Sequence, residues 1–249
     1  MLLKKTLCFF LLTLLGAPGI FAQQDKGTIS GTVFDASGAA VPAVTVTLED
    51  SGTGARRVTK TGNAGEFVFT PLNIGNYSVT VAAGGFQTLV QKNLELQVQQ
   101  TLDLKLTLSV GSQARVVEVT DTAPPLQTAD SSLGQVISSR AITNLPLNGR
   151  DVFQLLSLVP GAVTGPDGSP AISGQPTQYQ FYAMDGVDNT NYQGNLQSGH
   201  AWNLSPSPDA VQEFKVQTNN YSSEFGQSAG GVVNVIIKSG TNDLHGSLY

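Results

Sequence analysis

The sequence is poor in the residues that carry most enzyme and metal chemistry. It has one cysteine, two histidines and one tryptophan in 249 residues. Cys8 lies in the N-terminal targeting segment, so the rest of the chain has no thiol for a disulfide or a nucleophile. His200 and His245 are far apart, and no zinc-protease, phosphate-binding or nucleophile-elbow motif occurs. The composition therefore predicts no enzyme activity, no cofactor and no metal site.

Charged residues are also scarce, at 12% of the chain, and the formal net charge is -5. Without the basic pair Lys4 and Lys5 of the targeting segment, the charge becomes -7. Phosphate contacts need clustered lysine and arginine, so nucleic acid is excluded as a partner. The chain has instead 27 glycines and many β-branched residues. This composition favours strands and turns over helices.

The N-terminal apolar run is too short to span a bilayer as a helix. It covers Leu7–Leu15, follows the two lysines and is broken by a Gly-Ala-Pro-Gly stretch. Ala22 is a small residue suited to cleavage before the next position. Residues 1–22 are therefore predicted to be a secretory signal peptide. A membrane anchor is the less favoured alternative, because the run is short and a proline follows it.

Residues 27–108 alternate between apolar and polar positions in short stretches separated by turn residues. The strictest alternation covers Gln100–Leu108, where four leucines fall on one face. About seven strands are expected, and the clearest are Thr28–Phe34, Val44–Leu48, Arg56–Thr61 at a polar edge, Glu66–Thr70, Asn76–Ala82 and Gln100–Leu108. Short strands at regular spacing are typical of an antiparallel β-sandwich.

Two motifs in this segment resemble a known domain. They are Gly31-x-Val33-x-Asp35-x-x-Gly38-x-x-Val41-Pro42 and Gly65-x-Phe67-x-Phe69-x-x-Leu72-x-x-Gly75-x-Tyr77-x-Val79-x-Val81. The segment is similar to the carboxypeptidase regulatory-like domain, a transthyretin-like sandwich. Asp35 and Gly38 suit a turn, and Phe67, Phe69, Tyr77, Val79 and Val81 are expected in the core. The segment contains no histidine, so the resemblance implies an accessory module, with glycan binding as a role, and no zinc peptidase chemistry.

Residues 109–129 break the alternation and form a predicted linker. Within it lies a short extended strip made of Val116, Val117, Glu118, Val119 and Thr120. Pro124-Pro125 follows and favours an extended tether. The strip resembles a TonB box, through which outer-membrane receptors add a strand to the periplasmic protein TonB. A strand that only joins two domains is an equal alternative.

Residues 130–231 mix strands with short helical stretches. Strands are predicted at Asp130–Ile137, Gln180–Met184 and Glu213–Gln217, helices at Ser138–Asn144 and Asp151–Val159, a turn at Asp185-Gly186 and a capped helical turn at Ser207–Val211. In the second helix, Val152, Leu155, Leu156 and Val159 share one face, and Pro160-Gly161 ends it. This pattern predicts an α+β domain.

Six motifs of this region resemble Oar-like TonB-dependent receptors. They are Leu145-Pro-Leu-Asn-Gly-Arg150, Leu158-x-Pro160-Gly161, Met184-Asp-Gly-Val-Asp-Asn189, Ser207-Pro-Asp-Ala-Val-Gln-Glu-Phe214, Tyr221-x-x-Glu-Phe-Gly226 and Gly230-Gly-Val-Val-Asn-Val-Ile-Ile-Lys-Ser-Gly-Thr-Asn242. The resemblance implies a plug domain over 130–231 that gates substrate uptake, TonB as partner, and a glycan or peptide as transported ligand. It also implies the outer membrane as location, with sandwich and plug on the periplasmic side.

Two loops of the plug-like region lack periodicity, Thr164–Gln178 and Asn189–Ser205. Long irregular loops in a compact domain are often functional. Tyr192, His200 and Trp202 are the candidates for ligand contact, because amphipathic aromatics bind sugars well. The alternative is a loop whose aromatic residues have no role. The oxygen-rich stretch 185–189 could suit calcium, but a turn in which Asp and Asn bond locally is favoured.

The end of the sequence is predicted to form a hairpin. Val232–Lys238 is either the close of the plug or a first barrel strand, and Leu244–Tyr249 begins the next strand. Residues 232–249 are thus assigned to the beginning of a β-barrel that the chain does not complete. The rival hypothesis is a secreted or periplasmic carbohydrate-binding or adhesion protein, in which this stretch is an ordinary hairpin.

Overall fold

The computed structural model describes residues 25–111, 116–119, 133–164, 170–192, 201–221, 225–226, 228–244 and 246. The predicted signal peptide, Thr120, His200 and the end of the last predicted strand lie outside these residues. The described part is mainly β, which confirms the predicted fold class. It has two five-stranded sheets, the first in the sandwich and the second in the C-terminal segment. None of its helices has the length and apolar character needed to cross a membrane.

The described residues from 25 to 119 form a β-sandwich. Its strands are β1 (Gly27–Asp35), β2 (Thr45–Asp50), β3 (Arg56–Lys60), β4 (Glu66–Leu72), β5 (Gly75–Ala82), β6 (Thr88–Leu96), β7 (Thr101–Leu108) and β8 (Val116–Val119). One sheet has the order β4-β1-β7 and the other β3-β2-β5-β6-β8. The basic strand β3 lies at a sheet edge, as its polar sequence predicts.

Alternate residues of the strands point between the two sheets and form one apolar core. It includes all five residues expected there, Phe67, Phe69, Tyr77, Val79 and Val81. The predicted turn after β1 is also present. The Asp35 carboxylate accepts hydrogen bonds from the backbone N–H groups of Ser37 and Ala39, and Gly38 has a positive φ of 86°.

Two features of the sandwich differ from the prediction. The sandwich is not fully antiparallel, because β7 runs parallel to β1 over eight paired residues and β8 runs parallel to β6. Strand β6 was not predicted from the sequence. Asn93 has a φ of 59° and inserts an extra residue opposite β5, between the pairs Tyr77–Leu94 and Val79–Gln91. This bulge interrupts the period-two pattern that identifies strands elsewhere.

The C-terminal segment, residues 133–246, is built on a five-stranded sheet. The strands of the whole segment are β9 (Leu133–Ser138), β10 (Ala162–Thr164), β11 (Pro170–Ile172), β12 (Phe181–Met184), β13 (Val187–Asp188), β14 (Val211–Asn219) and β15 (Val232–Ile237). The main sheet has the order β13-β12-β15-β14-β9, while β10 and β11 form a separate hairpin. Strands β14 and β15 are buried on both faces along most of their length.

The helical stretches are shorter and tighter than predicted. The helix α1 (Ser139–Asn144) follows Ser138, as expected, but the Ser138 side chain makes no capping hydrogen bond. Val152–Leu158 forms a 3₁₀ helix, in which the Asp151 side chain accepts from the N–H of Phe153. The Ser207–Val211 stretch is a single hydrogen-bonded turn without a helix. The apolar residues of the 3₁₀ helix are nevertheless buried against the sheet, as their spacing predicts.

The predicted boundary between residues 231 and 232 divides the C-terminal sheet. Val232–Ile237 pairs with β12 on one side and β14 on the other, so it belongs to the sheet and does not begin a separate structure. Leu244, the expected start of the next strand, lies in no strand and is fully exposed. The preceding turn instead contacts the sandwich, where Asn242 donates to the Thr53 carbonyl at 2.7 Å.

Candidate functional site

The strip predicted to contact TonB forms the last strand of the larger sandwich sheet. Four of its five residues, Val116–Val119, make up β8, which pairs in parallel with Thr88–Gln91 of β6. In the described part of the chain, β6 is its only strand neighbour. The strip is therefore extended, as predicted, and it is also integrated into the sandwich.

The predicted ligand loop is held closed at its base. Asn189 and Leu204 exchange two hydrogen bonds, with the Asn189 amide donating at 2.8 Å and its oxygen accepting at 2.9 Å. Backbone bonds from Asn191 to Ala201 and from Asn203 to Asn189 continue this pairing. As a result, residues 189–192 and 201–204 lie side by side like the ends of a hairpin.

This arrangement separates the two described ligand candidates. Tyr192 is 64% exposed, and its hydroxyl donates to an Asp188 carboxylate oxygen at 2.8 Å. Trp202 is only 8% exposed and belongs to the apolar core of the C-terminal segment. The expectation that Trp202 offers a contact surface does not hold, because its indole is buried in this core. Tyr192 keeps the exposure that a contact residue needs.

Trp202 is the centre of an aromatic cluster. Its ring stacks on Phe153 at a centroid distance of 4.2 Å, and Tyr182 lies 5.5 Å away. Phe153 and Tyr182 meet edge to face at 5.6 Å. The cluster fixes the 3₁₀ helix and the loop base against strand β12, so its role is packing.

Both aspartates of the oxygen-rich stretch 185–189 accept backbone hydrogen bonds, and the one at Asp188 is local, as the turn interpretation predicts. Asp185 accepts from the N–H of Ile237 at 2.9 Å, and Asp188 accepts from the N–H of Thr190 at 2.8 Å. Over the described ranges, no group of three or more His, Cys, Asp or Glu residues is placed to hold a metal ion.

A junction between the two parts of the chain was not predicted from the sequence. Ile74 and Val98 of the sandwich pack against Ile236 of β15 in a small buried cluster. Beside it, the Glu213 carboxylate of β14 accepts from the Val98 N–H at 2.5 Å. Asn234 of β15 donates to Asp25 at 2.5 Å. The sandwich and the C-terminal sheet therefore share an interface that is partly apolar and partly polar.

Glu213 is the unusual group of this junction. It is 7% exposed, and burial raises its pKa to about 7. The Val98 hydrogen bond and the nearby Lys215 lower the pKa, whereas the like charge of Glu95 raises it. A carboxyl group with this pKa changes its protonation near neutral pH.

The stability of the chain is expected to fall as the pH rises through the pKa of Glu213. The folded-state pKa lies above the ordinary value of 4.5, so the folded chain binds this proton more tightly than the unfolded chain. The stabilisation is complete below about pH 4.5 and is lost by about pH 7. Between pH 5 and pH 8, wild type should lose about 2–3 kcal/mol more stability than Glu213→Gln.

Urea unfolding of both proteins at pH 5 and pH 8, followed by circular dichroism, measures this difference. Glutamine keeps the oxygen that accepts from Val98 but cannot ionise. The comparison with this variant removes the contribution of all other titrating groups. An identical pH dependence in the two proteins would show that Glu213 is not the group involved.

A polar cleft of about 930 Å³ opens beside the same junction. The sandwich contributes Asp50 and Asn76 to its lining, and the C-terminal segment contributes Asp209, Gln212 and Lys238.

Comparison with known proteins tests the resemblances found in the sequence. The chain is 26% identical over 246 residues to the TonB-dependent transporter Oar of Myxococcus xanthus, a match that covers 95% of the chain. The predicted resemblance to Oar-like TonB-dependent receptors is confirmed. The chain spans 22% of the length of that transporter. Residues 28–109 match the model of the carboxypeptidase regulatory-like domain.

Two similar solved structures each cover about a third of the chain. A putative carbohydrate-binding protein from Bacteroides uniformis is 15% identical, with a TM-score of 0.30 over 34% of this chain and 42% of that one. The Bacillus anthracis TIE protein is 18% identical, with a TM-score of 0.31 over 35% of this chain and 17% of that one. Likeness at this level carries no information about function.

Proposed function

We propose that this chain is the part of an outer-membrane TonB-dependent receptor that couples and gates transport. The C-terminal segment acts as the plug that gates uptake of a substrate. The sandwich is an accessory module, and the strip Val116–Thr120 contacts TonB. The protein is exported through the signal peptide at 1–22 and acts at the outer membrane, with plug and sandwich on the periplasmic side.

The observation that carries this proposal is the extent of the match to a TonB-dependent transporter. It covers 95% of the chain and thus includes the C-terminal segment as well as the sandwich. If the chain were a free-standing carbohydrate-binding sandwich, the expected similarity would be confined to the sandwich. The strip between the two parts is extended, which is the conformation that strand addition to a partner requires.

The proposal predicts that the strip is needed to bind TonB. Val116–Thr120 is replaced by five glycine and serine residues, which keeps the length but removes the strand. Binding of the purified periplasmic domain of the host's TonB is measured by biolayer interferometry. The affinity should fall at least tenfold, because strand pairing supplies most of the contact in this mode of recognition.

A matched replacement of Asp121–Pro125, in the same linker, serves as the control and should bind normally. Circular dichroism of both variants checks that the sandwich remains folded. Unchanged TonB affinity after replacement of Val116–Thr120 would remove this strip from the proposed function.

A further inference from the structure

Strand β8 has two edges, and in the described part of the chain one of them is paired. Its paired residues are Thr88 with Val116, Leu89 with Val117, Val90 with Glu118 and Gln91 with Val119. Among the residues that the structure describes, no strand pairs with the opposite edge. The larger sandwich sheet thus ends in β8 on this side.

The backbone of an extended strand serves both edges at once. Successive residues direct their N–H and C=O groups to alternate sides, so half of these groups in β8 face β6 and half face outward. Outward-facing groups on a sheet edge are available to another extended chain. A partner strand can therefore pair with β8 without competing for the hydrogen bonds to β6.

Two routes exist for a partner that recognises this strip. In the first, the strip leaves β6 and pairs with the partner instead, so that the pairing lost is similar to the pairing gained. In the second, the partner adds to the outer edge while the inner pairing is kept. The second route gains hydrogen bonds and loses none, and the strand is already ordered, which lowers the entropic cost of binding.

We infer that TonB adds a strand to the outer edge of β8 while β8 remains paired with β6. The five-stranded sandwich sheet then becomes a sheet that continues into the partner. This inference rests on the proposed function, in which Val116–Thr120 contacts TonB. It assigns a role to the sandwich, which supplies the folded edge that presents the strip.

A reversible covalent lock between β6 and β8 tests the inference. The predicted mature chain contains no cysteine, so a double substitution Val90→Cys/Glu118→Cys introduces the only pair. The two positions are direct partners, and neighbouring strands lie about 4.8 Å apart, within the usual Cα separation of a disulfide. Val90 is half-buried, whereas the adjacent Leu89 belongs to the core and is left unchanged.

The probe is again the periplasmic domain of TonB, with its affinity measured for the oxidised and the reduced variant. The locked chain should bind as tightly as the reduced chain, or more tightly. A loss of more than threefold on oxidation that reduction restores would overturn the inference, because it would show that the strip must leave β6. If this disulfide does not form, Thr88→Cys/Val116→Cys provides a second direct pair.

A lock at the other edge of the same sheet is the matched control. Thr47→Cys/Val58→Cys joins β2 to β3, far along the sheet order from β8, and its oxidation should leave TonB affinity unchanged. The lock and the glycine-serine replacement separate the two hypotheses. If the glycine-serine replacement loses binding and the oxidised Val90→Cys/Glu118→Cys variant also binds more weakly, edge addition is refuted. The assignment of the strip as the TonB contact then still stands. Unchanged binding in the replacement refutes the assignment of the strip itself.

Discussion

Replacing Trp202 with alanine should destabilise the C-terminal segment by about 3–5 kcal/mol. The indole is 8% exposed and stacks on Phe153, so its removal leaves a cavity between the 3₁₀ helix and the sheet. The aromatic pairs to Phe153 and Tyr182 add to the loss of apolar burial. Urea unfolding followed by circular dichroism measures the change.

Tyr192→Ala is the matched control, since Tyr192 lies at the other end of the same loop. It is 64% exposed, and its hydrogen bond to Asp188 is at the surface. A change of less than about 0.5 kcal/mol is expected there. Equal effects of the two substitutions would mean that Trp202 is not a core residue.

Replacing Gly31 with alanine should cost the sandwich about 3 kcal/mol, near the upper end of what overpacking costs. Gly31 lies in β1 between Phe67 of β4 and Leu104 of β7. A methyl group at this position would overlap the Leu104 carbonyl oxygen and lie 2.8 Å from Cζ of Phe67. The carbonyl belongs to a backbone held by strand pairing on this side, so it cannot move as a flexible side chain would.

Thermal unfolding of Gly31→Ala and of Gly84→Ala tests this expectation. No heavy atom lies within 4 Å of a methyl group added at Gly84, so that variant should match wild type. A stable Gly31→Ala protein would contradict the close approach of β1 and β7.

The sandwich could be predicted from the sequence because local patterns determine most of it. Tyr77 and Val79 alternate with polar residues. The turn after β1 is determined locally, because the Asp35 side chain accepts hydrogen bonds from the backbone of the next few residues. Strand β6 was missed where the bulge at Asn93 breaks the alternation. The parallel pairing of β1 with β7 arises because the chain crosses from the larger to the smaller sandwich sheet after β6. No local sequence pattern specifies that crossing.

The candidate site was less predictable, because long-range contacts determine it. Trp202 stands alone in an aperiodic loop, and its burial depends on the long-range pairing of residues 189–191 with residues 201–204. Glu213 meets Val98 across 115 positions of the sequence, so nothing near either residue indicates the junction. The strip Val116–Val119 could be predicted as extended, but its pairing with β6 could not.

The parallel pairing of β1 with β7 places the first strand of the sandwich in the middle of the smaller sheet. Thr28 lies beside Thr101, and Asp35 lies beside Leu108. Strand β1 has β4 on its other side, so it is the only strand that connects β4 to β7 in this sheet. A truncation that reaches β1 therefore separates β4 from β7 and dissolves the smaller sheet, although it removes only the first strand of the sandwich.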